Sequence, residues 1–139
     1  MREILFRGKR SDTGDWVQGF YIQKPNPFSE DGKPIRHCII DLPPFGYDVD
    51  PETVGQFTGL CDKNGNRIFE GDVVVIETDC IPSFMLNRYV FVWDDDQTAY
   101  KLLKDNTIYD LPMGRMEIIG NIYDNPELLE EVSDGSPKD

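Results

Sequence analysis

The fold class is decided by the stretch from residue 62 to residue 76, which reads DKNGNRIFEGDVVVI. Its Asn64-Gly65 pair suits the two positive-φ positions of a type I′ hairpin turn, and a second turn follows at residues 70–72. After that turn, residues 73–76 are a continuous β-branched run, which is typical of a strand buried on both faces. The stretch therefore predicts short strands joined by tight turns.

The same pattern extends in both directions along the chain. About eight short segments rich in β-branched and aromatic residues are separated by turn signals at intervals of roughly 8–12 residues. Near the end, Asn125-Pro126-Glu127 has helix-start chemistry, because Asn caps, Pro suits the first position and Glu favours the positive helix end. The sequence predicts a mainly β protein, a small barrel-like or sandwich domain with one short C-terminal helix. We expect one domain over residues 1–132 and a small, polar, disordered tail over residues 133–139.

Composition limits the classes of partner. The 139 residues include 26 Asp and Glu against 14 Lys and Arg, a net charge of −12. Binding to nucleic-acid phosphates or to an anionic membrane surface needs clustered Lys and Arg, so direct nucleic-acid binding is not expected. No signal-peptide core and no apolar run of about 20 residues are present, which predicts a cytoplasmic protein without a membrane span.

The metal-ligating residue types are few. One histidine, His37, and three widely spaced cysteines, Cys38, Cys61 and Cys80, form no C-x₂₋₄-C pair, so neither a zinc site nor another cofactor is expected. Adjacent strand residues point to opposite faces, so His37 and Cys38 cannot form a nucleophilic pair. His37 with Cys61 or Cys80 stays open at this level.

Two acidic clusters invite a metal interpretation. Oxygen ligands for a cation could come from Asp62, Asn64, Glu70 and Asp72, but the spacing only partly imitates an EF-hand loop. A hairpin turn with unusual φ at Gly71 is the favoured interpretation. The second cluster, residues 94–96, could serve a metal-dependent nuclease, but three adjacent carboxylates cannot all face one site, and a solvated turn is favoured.

Aromatic residues recur at strand positions: Trp16, Phe20, Tyr89, Phe91, Trp93 and Tyr123. A nucleic-acid platform would interleave such rings with Lys and Arg. The sequence neighbours are instead acidic, at Asp15 and at residues 94–96, so core packing is the favoured interpretation.

Three blocks carry a family resemblance. The chain opens with MREILFR, continues from residue 49 as VDPETVGQFTGLCDKNGNRIFEGDVV, and from residue 118 has IIGNIYDNPELL. These blocks resemble the YopX family of bacteriophage and prophage proteins, with mild departures at Leu5, Phe57, Cys61 and Phe69. The resemblance implies a phage-encoded protein in the cytoplasm of a bacterial host, which self-associates and has no agreed activity. It supplies no catalytic residues.

These observations predict a non-enzymatic accessory protein that self-associates or binds a host or phage protein. An adaptable interface is expected where apolar side chains flank a proline break, at Ile81, Phe84, Met85 and Leu86. The alternatives are a nucleic-acid-associated small barrel and an acidic mimic of DNA that inhibits a host DNA-binding protein. The mimic would need carboxylates gathered on one face, drawn from Glu70, Asp72, Asp94, Asp95, Asp96, Glu127, Glu130 and Glu131.

Overall fold

The chain forms two antiparallel sheets in a computed structural model that describes residues 3–27, 32–42, 45–77, 88–111 and 115–128. The mainly β prediction is confirmed, and a helix begins at Pro126 as predicted. The described residues form eleven strands rather than about eight, and within them neither sheet closes into a barrel. Contacts group the chain into two compact units, Met1–Phe57 and Thr58–Asp139. The single domain over residues 1–132 stays a prediction, and the tail at residues 133–139 lies outside the described residues.

Strands of the first sheet follow the hydrogen-bonded order β4-β3-β2-β1-β5-β6. Their bounds are β1 Phe6–Lys9, β2 Trp16–Pro25, β3 Ile35–Leu42, β4 Phe45–Asp48, β5 Gly55–Cys61 and β6 Arg67–Phe69. A short 3₁₀ helix, Pro51–Thr53, precedes β5 and is capped by the Asp50 side chain, which accepts from the Glu52 N–H. Strand β2 lies between β1 and β3, so both of its edges are hydrogen-bonded.

The turn cluster at residues 11–14, between two short apolar segments, predicts a hairpin at the start of the chain, and the structure contains it. Strands β1 and β2 pair with Phe6 opposite Gly19 and Lys9 opposite Trp16. The turn between them closes through a hydrogen bond from the Arg10 N–H to the Asp15 carbonyl oxygen. Gly46 and Pro51 predict irregular structure over residues 45–50, but β4 forms there because β3 supplies its hydrogen-bonding partner.

Strands of the second sheet follow the order β10-β9-β8-β7-β11. Their bounds are β7 Asp72–Glu77, β8 Arg88–Asp94, β9 Ala99–Lys104, β10 Thr107–Tyr109 and β11 Arg115–Asn121. The core of the second unit includes Ile68, Val74, Phe91 and Leu102, all essentially without solvent exposure. Val73 and Val90 form a second buried cluster, so β7 is buried on both faces, as its unbroken β-branched run predicts.

The type I′ geometry predicted for Asn64-Gly65 occurs at a different turn of the second unit. At Asn64-Gly65 only the glycine has positive φ, so this is not a type I′ turn. Positive φ at both central residues occurs instead at Asp105 and Asn106, between β9 and β10. The side chain of Asp62 explains the difference, because it accepts hydrogen bonds from the Asn64 and Asn66 N–H groups and holds a wider loop.

Candidate functional site

Strand β2 has two chemically different faces, because its side chains alternate along the strand. One face packs inward: the Phe6 and Tyr21 ring centroids lie 5.7 Å apart, Tyr21 stacks on His37 at 6.0 Å, and Ile39 opposite Tyr21 is fully buried. The other face carries residues 16, 18, 20, 22 and 24 of β2 together with their cross-strand partners.

That second face combines cations with aromatic rings. Its strand register brings together Arg7, Lys9, Trp16, Phe20, Lys24 and Arg36, which we name the cationic–aromatic face. The Arg7 guanidinium lies 4.7 Å from the Trp16 ring centroid and the Lys9 ammonium 5.7 Å from it. Phe20 is 63% exposed, and Lys24 and Arg36 are exposed.

Lys24 and Arg36 lie directly opposite each other across β2 and β3. Arg36 donates to both carboxylate oxygens of Asp48, at 2.8 and 3.0 Å, and this hydrogen bonding raises the pKa of the guanidinium. Asp48 is the one carboxylate that the described strand register places on this face. Among the residues that the described register places on this face, four are cations and one is a carboxylate.

Charge is also divided unequally between the two units. Residues 1–57 carry seven Lys and Arg against nine Asp and Glu, a net charge of −2. Residues 58–139 carry seven against seventeen, a net charge of −10. Most of the net negative charge therefore lies in the second unit, and the charge of the first unit is nearly balanced.

Next to this face, the first unit has an open cleft of about 840 Å³. Its lining includes Ser11, Asn26, Lys33, His37 and Asp50. His37 Nδ1 and the Tyr21 hydroxyl share a hydrogen bond of 2.6 Å. The cleft therefore offers polar groups for a ligand.

His37 and Cys38 lie on opposite faces of β3, as the alternation predicts. The Cys38 thiol is buried and donates to Asp48 Oδ1 at 3.3 Å. Burial raises the pKa of this thiol, and the hydrogen bond to Asp48 raises it further. Cys38 is therefore held as a neutral thiol. Cys61 is exposed in the second unit, and Cys80 lies outside the described residues.

The block from Asp62 to Asp72 has a structural role. Asp62 accepts hydrogen bonds from three backbone N–H groups, and Asp72 Oδ2 accepts from the Phe69 N–H at 2.7 Å. Gly71 has φ +89°, and its carbonyl oxygen accepts from the Ile122 N–H. Over the described ranges of the chain, no three His, Cys, Asp or Glu side chains gather in a way that could hold a metal ion.

The predicted acidic surface is only partly formed by exposed groups. Asp94 is 8% exposed, and its Oδ1 accepts from the Asp96 N–H, so it belongs to the turn after β8 rather than to a docking surface. Asp95, Asp96 and Glu127 are exposed, and β8 and β11 end at the edge where β7 begins. Two carboxylates, Glu130 and Glu131, lie outside the described residues, as do all four residues of the predicted apolar interface, Ile81, Phe84, Met85 and Leu86.

Sequence reasoning missed the cationic–aromatic face because it compared each aromatic residue with its neighbours along the chain. Trp16 follows Asp15 in sequence, but its neighbours in space are Arg7 and Lys9 on the adjacent strand. Alternation along β2 already places Trp16, Phe20 and Lys24 on one face. The cations beside them follow only from the pairing of β1 and β3 with β2. Helices within the described part of the chain include none with the length and apolar character of a membrane span.

Comparisons with known proteins agree with this architecture. The crystal structure of protein EF1440 from Enterococcus faecalis superimposes with a TM-score of 0.55 at 22% sequence identity, covering 94% of this chain and 100% of that chain. That likeness concerns the fold. No curated protein sequence matches the chain significantly. The family model described as YopX protein matches residues 5–130, which is most of the chain. The chain therefore belongs to the YopX protein family.

Proposed function

We propose that this YopX-family protein is a non-enzymatic binding protein that holds an anionic partner on the cationic–aromatic face of its first unit. The observation that carries the proposal is the gathering of Arg7, Lys9, Lys24 and Arg36 on one face of a sheet, in a chain of net charge −12. The family resemblance adds the expectation of a phage-derived accessory protein acting in the cytoplasm of a bacterial host.

The pairing of Lys24 with Arg36 supports an anionic partner. Like charges directly opposite each other on two strands destabilise the pair. Asp48 compensates Arg36 by a two-oxygen hydrogen bond, and Lys24 is exposed beside it. A negatively charged partner would relieve the repulsion between Lys24 and Arg36. Binding of such a partner would therefore also stabilise the pairing of β2 with β3.

The chemistry of the titratable groups supports a binding role over catalysis. Nucleophilic cysteines are thiolates in electropositive, accessible surroundings. Cys38 is buried, its pKa is raised by burial, and its neighbour is the Asp48 carboxylate. His37 lies on the other face of β3 with Tyr21 as its hydrogen-bond partner. This arrangement separates the nucleophile from the base.

The proposal is tested by chromatography on immobilised heparin, a polyanion that a protein of net charge −12 would not be expected to bind. Wild-type protein should be retained at low salt, and the double variant Lys24→Gln/Arg36→Gln should pass through. The matched control is Arg88→Gln/Arg115→Gln, which removes the same charge from strands of the second unit. Retention of the control with loss of the face variant supports the proposal. Equal weakening of both, or no retention of the wild type, overturns it.

A second copy of the chain is a further candidate for the anionic partner, because the second unit carries a net charge of −10. Such head-to-tail contacts would make the protein a self-assembling one, as the sequence predicts. Sedimentation velocity at low and high salt separates this case: a charge-driven assembly dissociates as salt rises and is lost in the Lys24→Gln/Arg36→Gln variant. A mass that does not change with salt or with the substitution contradicts it.

A further inference from the structure

We infer that the cationic–aromatic face binds single-stranded nucleic acid, a conclusion that rests on the proposed role of this face and names the class of its partner. The inference departs from the expectation drawn from the overall charge. It rests on the placement of Phe20 between two groups of cations along one strand.

The spacing along β2 defines an elongated site. Trp16, with Arg7 and Lys9 beside it, stands at one end, and Lys24, with Arg36 opposite, stands at the other. Eight residues separate Trp16 from Lys24, which at about 3.4 Å per residue gives a stripe of about 27 Å. At the rise of about 3.4 Å per nucleotide in duplex DNA this matches about eight nucleotides, and fewer for an extended strand.

The exposed ring of Phe20 favours an anionic partner that also carries flat rings able to stack on it. It lies midway along the stripe, is 63% exposed, and shares its face with cations at both ends. Proteins that hold single strands combine a positively charged track for the phosphates with aromatic rings on which bases stack. A duplex hides the faces of its bases, and an acidic peptide offers no ring to stack, so the single strand is the partner that uses both elements.

In the strand register no charged residue stands opposite the centre of the stripe, and the exposed Asp41 follows Ile40 at the register shift between β3 and β4. Gln18 and Ile22 flank Phe20 along β2, and its cross-strand partner is Ile40. Asp48, the carboxylate that the register places on the face, is held by Arg36 at one end. A strand lying along β2 would therefore meet cations at its ends and apolar or neutral side chains at its centre.

The test is fluorescence anisotropy of the full chain with a fluorescein-labelled octathymidylate at two salt concentrations. Affinity should fall as salt rises, with a log–log slope of about −2 to −3 for up to four displaced counterions. Phe20→Ala should weaken binding by roughly 5- to 150-fold, the effect of one base–aromatic stack, and Phe20→Tyr should retain most of the affinity. The control is Phe45→Ala, since Phe45 is 60% exposed and by alternation along β4 points to the opposite face.

Each outcome decides the inference. Loss with Phe20→Ala, retention with Phe45→Ala and weaker binding of the matching duplex support it. Equal binding of duplex and single strand, or equal effects of the two alanine variants, overturns it. If the oligonucleotide does not bind at low salt while heparin retention persists, the single-strand inference fails and the proposed function stands. Absence of both overturns both.

Discussion

The carboxylate of Asp62 accepts a hydrogen bond from the backbone N–H of Ile118 at 3.2 Å, across 56 residues of sequence. The same side chain accepts from Asn64 and Asn66 at 2.9 Å each, so one buried group joins the loop after β5 to strand β11. Because hydrogen bonds to charged groups are worth about 1.5–3 kcal/mol each and their loss leaves donors unpaired, Asp62→Ala should lower the free energy of unfolding by at least about 3 kcal/mol.

The conservative variant Asp62→Asn is the control for this prediction. Its amide oxygen can still accept from one or two donors, so its loss should be about 1 kcal/mol. Urea unfolding followed by tryptophan fluorescence measures both. An Asp62→Ala protein as stable as the wild type would show that the loop holds β11 without this carboxylate.

Acid stability depends on the same residue. Burial acts to raise the pKa of Asp62, but the backbone hydrogen bonds from Asn66, Ile118 and Asn64 outweigh it, and the pKa is lowered. The folded-state pKa therefore lies below the unfolded value of about 3.9. The stabilisation is fully present above the unfolded pKa and is lost as pH falls through the folded pKa.

We therefore expect the stability difference between wild type and Asp62→Asn to shrink as the pH is lowered from about 6 to about 3. Other lowered carboxylates, Asp12 and Asp110, are common to both proteins and cancel in the difference. Thermal unfolding midpoints over this pH range give the comparison. A difference that grows on acidification is incompatible with a lowered pKa at Asp62.

Gly71 and Tyr123 allow a second stability test within the second unit. A Cβ at Gly71 would lie 2.9 Å from Cε2 of the Tyr123 ring, and its φ of +89° disfavours any L side chain. Gly65 has a similar φ, +83°, but nothing within 4 Å of such a Cβ. Gly65→Ala should therefore cost about 1 kcal/mol from backbone strain, and Gly71→Ala about 1–3 kcal/mol more, from overpacking.

The difference between the denaturant midpoints of Gly65→Ala and Gly71→Ala measures how much the clash with the Tyr123 ring destabilises the protein. The clash is removed in a Tyr123→Ala background. In that background Gly71→Ala should lower the denaturant midpoint about as much as Gly65→Ala does in the wild type. Equal losses for Gly65→Ala and Gly71→Ala would mean that the Tyr123 ring moves aside at no cost.

Cysteine reactivity should differ sharply between the two units. Cys38 is buried and its pKa is raised, first by burial and then by its hydrogen bond to Asp48, whereas Cys61 is exposed. A thiol reagent at about pH 8 attacks thiolates. In a Cys80→Ser background, we expect fast modification of Cys61 and slow modification of Cys38, limited by opening of the first unit.

Mass spectrometry of the modified protein assigns each rate, and urea should make the two thiols equally reactive. A native Cys38 that reacts as fast as Cys61 would contradict its burial against Asp48.

The sequence allowed the strands to be predicted better than the surfaces they form. Residues 35–42, which end at a Pro-Pro break, and the run at 73–76 each predict a strand locally, and the structure has β3 and β7 there. Short strands such as Arg67–Phe69 and Phe45–Asp48 depend on a neighbouring strand for their hydrogen bonds, and their three or four residues carry little signal of their own. Asp105-Asn106 predicts a turn but not its type, since Asn64-Gly65 has the stronger local preference for type I′.

The candidate site was the least predictable feature. It depends on which residues stand opposite each other: Lys9 beside Trp16 and Lys24 beside Arg36 are each separated by several residues in sequence and joined by register. The net charge of the whole chain is a sum over both units. The second unit has 17 acidic and seven basic residues, and this imbalance concealed the nearly balanced charge of the first unit.

The alternation along β2 has a consequence for how this sequence can vary. Inserting a single residue between Trp16 and Phe20 would turn the remainder of the strand over, so that Phe20 would lie opposite Ile39, Lys24 would point to the inward face and Tyr21 would point outward. Length changes in this strand can therefore survive only in pairs, or as a bulge that absorbs the extra residue. Point substitutions at 18, 20, 22 and 24, by contrast, alter one face and leave the other in place, so that this surface can diverge in chemistry while the interior is kept.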